Sequence, residues 1–215
     1  MSPMWRWRWG LGALPLAAAL SMLVAATAPA ADPDAGRRKA ERCAACHGAD
    51  GNATIPGTPS LASMPVFYTH WQLIMFRDGR RRSEPPKTAL VQNLTDEDMA
   101  DLSAYYAAQP SRGRSSPSDA ALIAAARPLA EAHHCISCHG PNLMGQQQVP
   151  RLAGQDLDYL LKRLQGYKAR TTSDLDGMMT MVAQSLTEGD IEILARCFAG
   201  LDAAGAGQSP GRGLR

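Results

Sequence analysis

Two short segments of the chain share one five-residue pattern. The first is Cys43-Ala-Ala-Cys46-His47 and the second is Cys135-Ile-Ser-Cys138-His139, and glycine follows each of them. The pattern C-x-x-C-H is typical of c-type haem attachment. Two thiols three residues apart can add to the two vinyl groups of one porphyrin, and the adjacent histidine then lies under the iron as its proximal ligand. The two motifs therefore predict two covalently attached haems in one chain.

Other uses of these cysteines fit the pattern less well. A zinc site lacks a fourth ligand near either motif, and a redox-active C-x-x-C pair gives the trailing histidine no required role. A disulfide framework would be the usual use of cysteines in an exported protein, but it does not explain the repeated spacing. The fifth cysteine, Cys197, lies outside both motifs, and we expect it to be a buried free thiol.

The first thirty residues have the features of an export signal. Arg6 and Arg8 precede an almost unbroken run of small apolar residues over 11–26, and Ala-Pro-Ala follows at 28–30. This order predicts a secretory signal peptide over residues 1–30. The apolar run, about 16 residues, is shorter than the roughly 20 that a membrane-spanning helix needs. We expect a soluble protein exported to the periplasm of a Gram-negative-type cell, with an uncleaved membrane anchor as the alternative.

The charge of the chain argues against a nucleic-acid partner. The sequence has 22 Lys+Arg and 20 Asp+Glu, a formal net charge of +2 at pH 7. Removal of Arg6 and Arg8 with the signal peptide would make the two totals equal. A neutral chain has no strong preference for nucleic acid or anionic lipid. Association with a membrane is therefore expected only through partner proteins or an uncleaved signal.

The chain is an internal duplication. Cys43 and Cys135 lie 92 residues apart, and the segments Leu-Thr-Asp-Glu-Asp-Met at 94–99 and Leu-Thr-Glu-Gly-Asp-Ile at 186–191 have the same separation. Each copy has about 80–90 residues, near the lower size limit of a domain, and a covalent porphyrin would supply apolar surface for its core. We predict a signal peptide over 1–30, a first haem domain over 31–110, a linker over 111–118, a second haem domain over 119–203 and a flexible tail over 204–215.

The secondary-structure signals within each copy are helical. Apolar residues recur at three- and four-residue steps over 65–79 and 157–167. Thr95 and Thr187 stand at N-cap positions, and the acids after them suit the positive end of a helix dipole. No run alternates in the way a strand would. We therefore predict an all-α fold of two tandem domains, each wrapped round one haem.

These motifs resemble the dihaem cytochromes of the c4 class, which are exported electron-transfer proteins built from two class I cytochrome c domains. The resemblance covers essentially the whole chain after the signal, and its most specific parts are residues 43–51 and the Leu-Thr-x-x-Asp openings of the last helices. It implies a carrier of single electrons with histidine and methionine as axial ligands of each iron. The implied partners are a dehydrogenase or quinol-oxidising complex on one side and a terminal oxidase or other acceptor on the other.

The second copy contains a candidate for the methionine ligand. Met179 lies seven residues before Leu186, where the family usually places its ligand, and the polar, glycine-containing segment before it suggests a loop over one face of the porphyrin. A thioether is a soft ligand that favours Fe(II) and raises the reduction potential. Met178 and Met181 are the neighbouring alternatives. We predict Met179 as the sixth ligand of haem 2.

The first copy has no methionine at the corresponding place. The 92-residue offset from Met179 leads to Lys87 in the presumed haem 1 loop, which makes Lys87 a candidate sixth ligand if its amine is neutral. The alternatives are an open or water-bound iron, a residue such as His70 or Met75, and a Lys87 that is merely a solvated loop residue. A harder ligand would lower the potential of haem 1, so electrons are expected to enter there and leave from haem 2.

An open iron at haem 1 would also permit catalysis. The alternatives to a carrier are therefore a catalytic dihaem protein, such as a sulfur-compound oxidoreductase or a peroxidase, and the cytochrome subunit of a larger oxidoreductase. Two minimal domains leave few residues for a substrate pocket, and the sequence has no paired acid and base beside haem 1. We therefore expect an electron carrier that is not itself an enzyme and has no catalytic residue.

Overall fold

The part of the chain that the structure describes is helical. This computed structural model describes residues 30–81, 85–113, 117–172, 174 and 176–202. Across these ranges there is no strand, only an isolated bridge between Gln146 and Val149, and no helix is long and apolar enough to cross a membrane. The expected signal peptide up to residue 29, residues 114–116 of the expected linker and the expected tail from 204 lie outside the described residues. The all-α prediction is confirmed.

Within the described residues, the helices form two sets of five that follow the same order along the chain. The first set consists of α1 (Pro33–Ala40), α2 (Ala44–His47), α3 (Val66–Arg77), α4 (Pro85–Val91) and α5 (Asp96–Ala108). The second set consists of α6 (Ala120–Ala132), α7 (Cys135–His139), α8 (Leu157–Lys168), α9 (Met178–Ser185) and α10 (Glu188–Ala199). Each half therefore has a short helix at its attachment motif and a long helix at its end, as the duplication predicts.

Helices α5 and α10 begin with the same kind of cap. The Asp98 N–H donates to Thr95 Oγ1 over 3.1 Å, and the Thr95 N–H donates to Asp98 Oδ2 over 3.0 Å. Thr187 and Asp190 make the same two bonds over 2.8 and 3.1 Å. Each capping box satisfies two N–H groups that the helix leaves without a partner. The predicted N-caps at Thr95 and Thr187 are confirmed.

In each half the first helix packs against the last one. α1 lies against α5 and α6 lies against α10, while α3 and α8 cover the same long helices from another side. The approach of α1 requires a glycine, because a Cβ added at Gly36 would lie 2.1 Å from Asp101 O. In α6 the buried residues Ala126 and Ala130 are small, so that helix also comes close to its partner.

Apolar side chains of the long helices form the core of each half. In the first half Leu102, Tyr105 and Tyr106 of α5 pack against Ala40 of α1. In the second half the buried cluster includes Ile191, Leu194, Cys197 and Phe198 of α10. Cys197 is fully buried and its thiol is free, as predicted.

Two segments that were expected to be loops are short helices, α4 and α9. Proline at 85 suits the first position of α4, because the N–H that proline lacks has no partner within a helix at that position. α9 begins after Gly177, whose φ of 74° only glycine adopts readily. The Asp174 carboxylate then accepts bonds from Met179 N and Thr180 Oγ1, both over 2.6 Å, and stabilises the first turn. The loop expectation was wrong for the residues of α4 and α9, and in α9 the bonds to Asp174 favour the helix although a polar, glycine-containing stretch precedes it.

Candidate haem-binding sites

Each attachment motif lies on one short helical turn. In a helix, residues three and four apart share a face, so Cys43, Cys46 and His47 lie on the same side of α2. The backbone then leaves the turn at Gly48 with φ of 78°, where a Cβ would lie 2.3 Å from Asn52 O. Gly140 has φ of 81° after α7. The glycine after each motif is therefore required by the exit of the chain from the turn.

Both motif histidines are oriented by a backbone carbonyl. His47 Nδ1 lies 2.8 Å from Pro59 O, and His139 Nδ1 lies 2.8 Å from Pro150 O. A ring that donates from Nδ1 keeps the lone pair of Nε2 for a metal. Burial lowers the pKa of both histidines, which favours the neutral form that coordinates iron. The two histidines, from distant parts of the sequence, thus have equivalent environments that suit a metal ligand.

The four motif cysteines form no disulfide, and the two members of each pair differ consistently in exposure. Cys46 and Cys138 are exposed, whereas Cys43 and Cys135 are half-buried. Burial raises the pKa of the Cys135 thiol to about 11, and it also raises the pKa of Cys43. The first cysteine of each pair is thus half-buried and the second is exposed, so the two motifs have the same pattern of exposure. Within the described ranges, no group of three or more His, Cys, Asp or Glu residues could hold a free metal ion.

Two buried nitrogen donors also fit a haem. Trp71 Nε1 and Arg151 Nη2 are buried without a hydrogen-bond partner. Arg151 is fully buried, donates from Nε to Ala62 O over 3.2 Å, and burial lowers its pKa to about 10. A buried guanidinium is stable only with an anion or several acceptors nearby. The propionates of a haem are carboxylates of the kind that such donors need, so these residues fit the group that the motifs predict. Sequence reasoning missed both roles, because nothing local distinguishes them from other core residues.

Lys87 lies beside the first attachment motif. It is half-buried on α4, with Nζ 3.7 Å from the centre of the Phe76 ring. Burial lowers its pKa to about 7, with a further lowering by Arg81 and an opposite effect of Cys43. Lys87 in turn contributes to the lowered pKa of His47. Lys87 thus lies on a helix and is only partly exposed to solvent, and its role as a ligand of the first iron stays a prediction.

The other candidate ligands are placed as follows. Met179 is half-buried on α9, whereas Met178 and Met181 are 47% and 63% exposed. Of these three methionines, Met179 is therefore the one that α9 turns inward. His70 and Met75 are half-buried on α3, in the first half.

Comparison with known proteins covers both halves of the chain. The cytochrome c family matches residues 34–108 and again 123–195. Cytochrome c4 of Pseudomonas aeruginosa is 35% identical over 181 residues, which span 80% of this chain and 90% of that protein. A thiosulfate dehydrogenase electron acceptor of Stutzerimonas stutzeri is 31% identical over 211 residues, which span 90% of this chain and 97% of that protein.

A solved structure agrees with the fold as well. The crystal structure of reduced recombinant cytochrome c4 from Pseudomonas stutzeri superposes with a TM-score of 0.71 at 30% identity, and the match covers 80% of this chain and 99% of that one. The similarity thus extends over both attachment motifs and both sets of helices. The chain belongs to the cytochrome c family and is a dihaem electron-transfer protein of the cytochrome c4 class, with two covalently bound c-type haems.

Proposed function

We propose that the chain is a periplasmic carrier of single electrons whose two haems are held by Cys43, Cys46 and His47 and by Cys135, Cys138 and His139. The observation that carries this proposal is the pair of equal 2.8 Å bonds from the two histidine rings to Pro59 O and Pro150 O. When bound, each haem supplies an iron that takes up and releases one electron. The carbonyls hold both rings in place, so little reorganisation accompanies each change of charge.

The sixth ligands would make the two sites unequal. We assign Met179 to the second iron, because it is the least exposed methionine of α9. We assign Lys87 to the first iron, because α4 directs its amine to the region of Cys43 and His47. A thioether favours Fe(II), whereas an amine favours Fe(III). The first site would therefore have the lower potential, which favours electron transfer from the first half to the second.

Substitution of Lys87 tests this assignment in the purified holoprotein. With Lys87→Ala we expect a high-spin EPR signal from one haem and new binding of carbon monoxide. Lys87→Met should keep that haem low-spin and raise its reduction potential, because a thioether replaces an amine. Lys162→Ala, which removes an exposed lysine of α8, is the control and should change neither spectrum. If both Lys87 variants have the spectra of the unsubstituted protein, Lys87 is not a ligand.

The electron donor that we propose is a dehydrogenase, with a quinol-oxidising complex as the other donor class and a terminal oxidase as an acceptor. The relative from Stutzerimonas stutzeri carries a name that makes it an electron acceptor of thiosulfate dehydrogenase, which supports a sulfur-compound dehydrogenase as the donor. The export signal that the sequence predicts over residues 1–30 supports a periplasmic location. Recovery of the haem protein in the periplasmic fraction, with a new N-terminus near residue 31, would test that location.

Stopped-flow absorbance distinguishes a carrier from a catalyst. The oxidised protein should be reduced rapidly when thiosulfate and a thiosulfate dehydrogenase are both present. It should be reduced slowly or not at all by thiosulfate alone. Rapid turnover of thiosulfate without the dehydrogenase would instead favour the catalytic dihaem protein. Stable co-elution of the two proteins would favour a cytochrome subunit of a larger oxidoreductase.

A further inference from the structure

The segment that orients His47 is itself held by the other half of the molecule. Gln155 is 1% exposed and follows the Pro150 segment of the second half. Its Oε1 accepts from Ser60 N over 2.7 Å, and its Nε2 donates to Ser60 O over 3.0 Å. The neighbouring Asp156 Oδ1 accepts from Gly57 N over 2.8 Å. These three hydrogen bonds therefore hold residues 57–60 of the first half, which include Pro59, against the second half.

One peptide group connects Gln155 to His47. Ser60 N and Pro59 O belong to the same amide, and Pro59 O is the acceptor 2.8 Å from His47 Nδ1. An amide that donates from its N–H becomes a better acceptor at its oxygen, because successive hydrogen bonds polarise one another in a medium of low dielectric. Both Ser60 and Gln155 are buried, so water does not compete for these bonds.

The first half has no glutamine at the position that corresponds to Gln155. Helices α3 and α8 begin 91 residues apart, at Val66 and Leu157, and the same offset places Met64 at the position of Gln155. Met64 is buried, and its side chain has no amide that could form hydrogen bonds with a backbone group. Met64 therefore does not repeat the hydrogen bonds that Gln155 makes to Ser60. These bonds are not a consequence of the duplication.

We propose that Gln155 is a positioning residue that acts across the domain boundary and lowers the reduction potential of the first haem. By accepting from Ser60 N, it increases the negative charge on Pro59 O and strengthens the bond from His47 Nδ1–H. A histidine that donates more strongly gains anionic character and stabilises Fe(III). The inference rests on the proposed function in one respect, since it takes His47 as the proximal ligand. It adds a reason for unequal potentials that is independent of Lys87.

Two substitutions of Gln155 with opposite expected effects test the inference. Gln155→Met has a similar size but cannot accept from Ser60 N, so the potential of the first haem should rise. Gln155→Glu keeps an acceptor for Ser60 N and adds negative charge once the new carboxyl is ionised, so that potential should fall as the pH rises through the pKa of this carboxyl. The potential of the second haem should stay constant in Gln155→Met, which adds no charge. Gln92→Met, at an exposed glutamine, is the control and should shift neither potential.

A second readout follows the hydrogen bond itself. In the reduced holoprotein, NMR should show faster solvent exchange of the His47 Nδ1 proton in Gln155→Met and unchanged exchange of the His139 proton. A shift of the first potential in the same direction in both Gln155 variants would indicate a loosened interface and would overturn the inference, as would no shift at all. If the oxidised unsubstituted protein lacks an iron-shifted His47 resonance, the proposed function itself fails and the inference fails with it.

Discussion

The ammonium of Lys39 lies 2.6 Å from the carboxylate of Asp101, whose side chain is only 3% exposed. The same carboxylate accepts from Asp32 N over 2.7 Å, and Lys39 also reaches Asp98 over 2.8 Å. This cluster joins the start of the first half to α5. The 92-residue offset places Ile193 at the position of Asp101, and Ile193 packs against the apolar core of the second half.

Asp101→Asn should therefore destabilise the first half. The single amide oxygen of asparagine cannot accept fully from both Asp32 N and Lys39, so one of these two donors loses its partner. We expect the free energy of unfolding to fall by about 2 kcal/mol. Denaturant unfolding of the holoprotein, followed by circular dichroism, measures the change. Glu41→Gln removes an exposed charge nearby and should have little effect. Equal effects of the two substitutions would contradict the prediction.

The same cluster predicts how stability depends on pH. Burial by itself would raise the pKa of Asp101, but bonds from Lys39 and Asp32 N outweigh it and the pKa lies below its ordinary value. The group therefore stabilises the folded state above its unfolded pKa, and this contribution disappears as the pH falls through the lower folded pKa. Between about pH 5 and pH 2 the unsubstituted protein should lose more stability than Asp101→Asn does. If the free energies of unfolding of the two proteins fall in parallel as the pH is lowered, this prediction is wrong.

The contribution of Lys39 to the stability of the folded state is lost at high pH rather than at low pH. Hydrogen bonds to Asp101 and Asp98 raise the pKa of Lys39 to about 12. Its contribution is complete below the ordinary lysine pKa and is lost only as the pH rises through the folded value. Unfolding measured at increasing alkaline pH should show this loss in the unsubstituted protein, and Lys39→Met should not show it.

Gly36→Ala should destabilise the protein, although alanine is the better helix former. An exposed substitution of this kind would stabilise a helix by up to about 1 kcal/mol. At Gly36 the new Cβ would meet backbone atoms of α5, 2.1 Å from Asp101 O, so the two helices must separate. We expect a loss of about 1–3 kcal/mol in thermal or denaturant unfolding. Gly189→Ala in α10, where the nearest atom lies 3.7 Å away, should be neutral or stabilising.

Met179→Ala should remove one ligand from the second haem. We expect the long-wavelength absorption of the methionine–Fe(III) bond to disappear and carbon monoxide to bind in the reduced state, because the sixth position is then open. Met178→Ala and Met181→Ala, at the two exposed methionines of the same helix, should leave both properties unchanged. Loss of the absorption in one of these two variants instead would assign the ligand to that residue.

The features that sequence reasoning predicted correctly are local. The all-α fold and the caps at Thr95 and Thr187 follow from residues within a few positions of one another, where helical spacing and hydrogen-bond chemistry decide the outcome. The helices α4 and α9 were missed because both are short, and because α4 begins with two prolines and α9 follows the polar stretch 173–177, features that suggest a loop. The repeat register singled out Lys87, but its burial against Phe76 became visible only in the fold.

By itself, the sequence determined the number of haems and the duplicated architecture, because covalent attachment depends on residues three and four apart and each copy repeats the same pattern. Only the tertiary structure decided which groups surround the two sites. The hydrogen bonds between Gln155 and Ser60 join residues 95 positions apart, and the Arg151–Ala62 bond joins residues 89 positions apart. Contacts of this length have no periodic signature in the sequence. They form only when packing buries two segments together and leaves their polar groups no partner except each other.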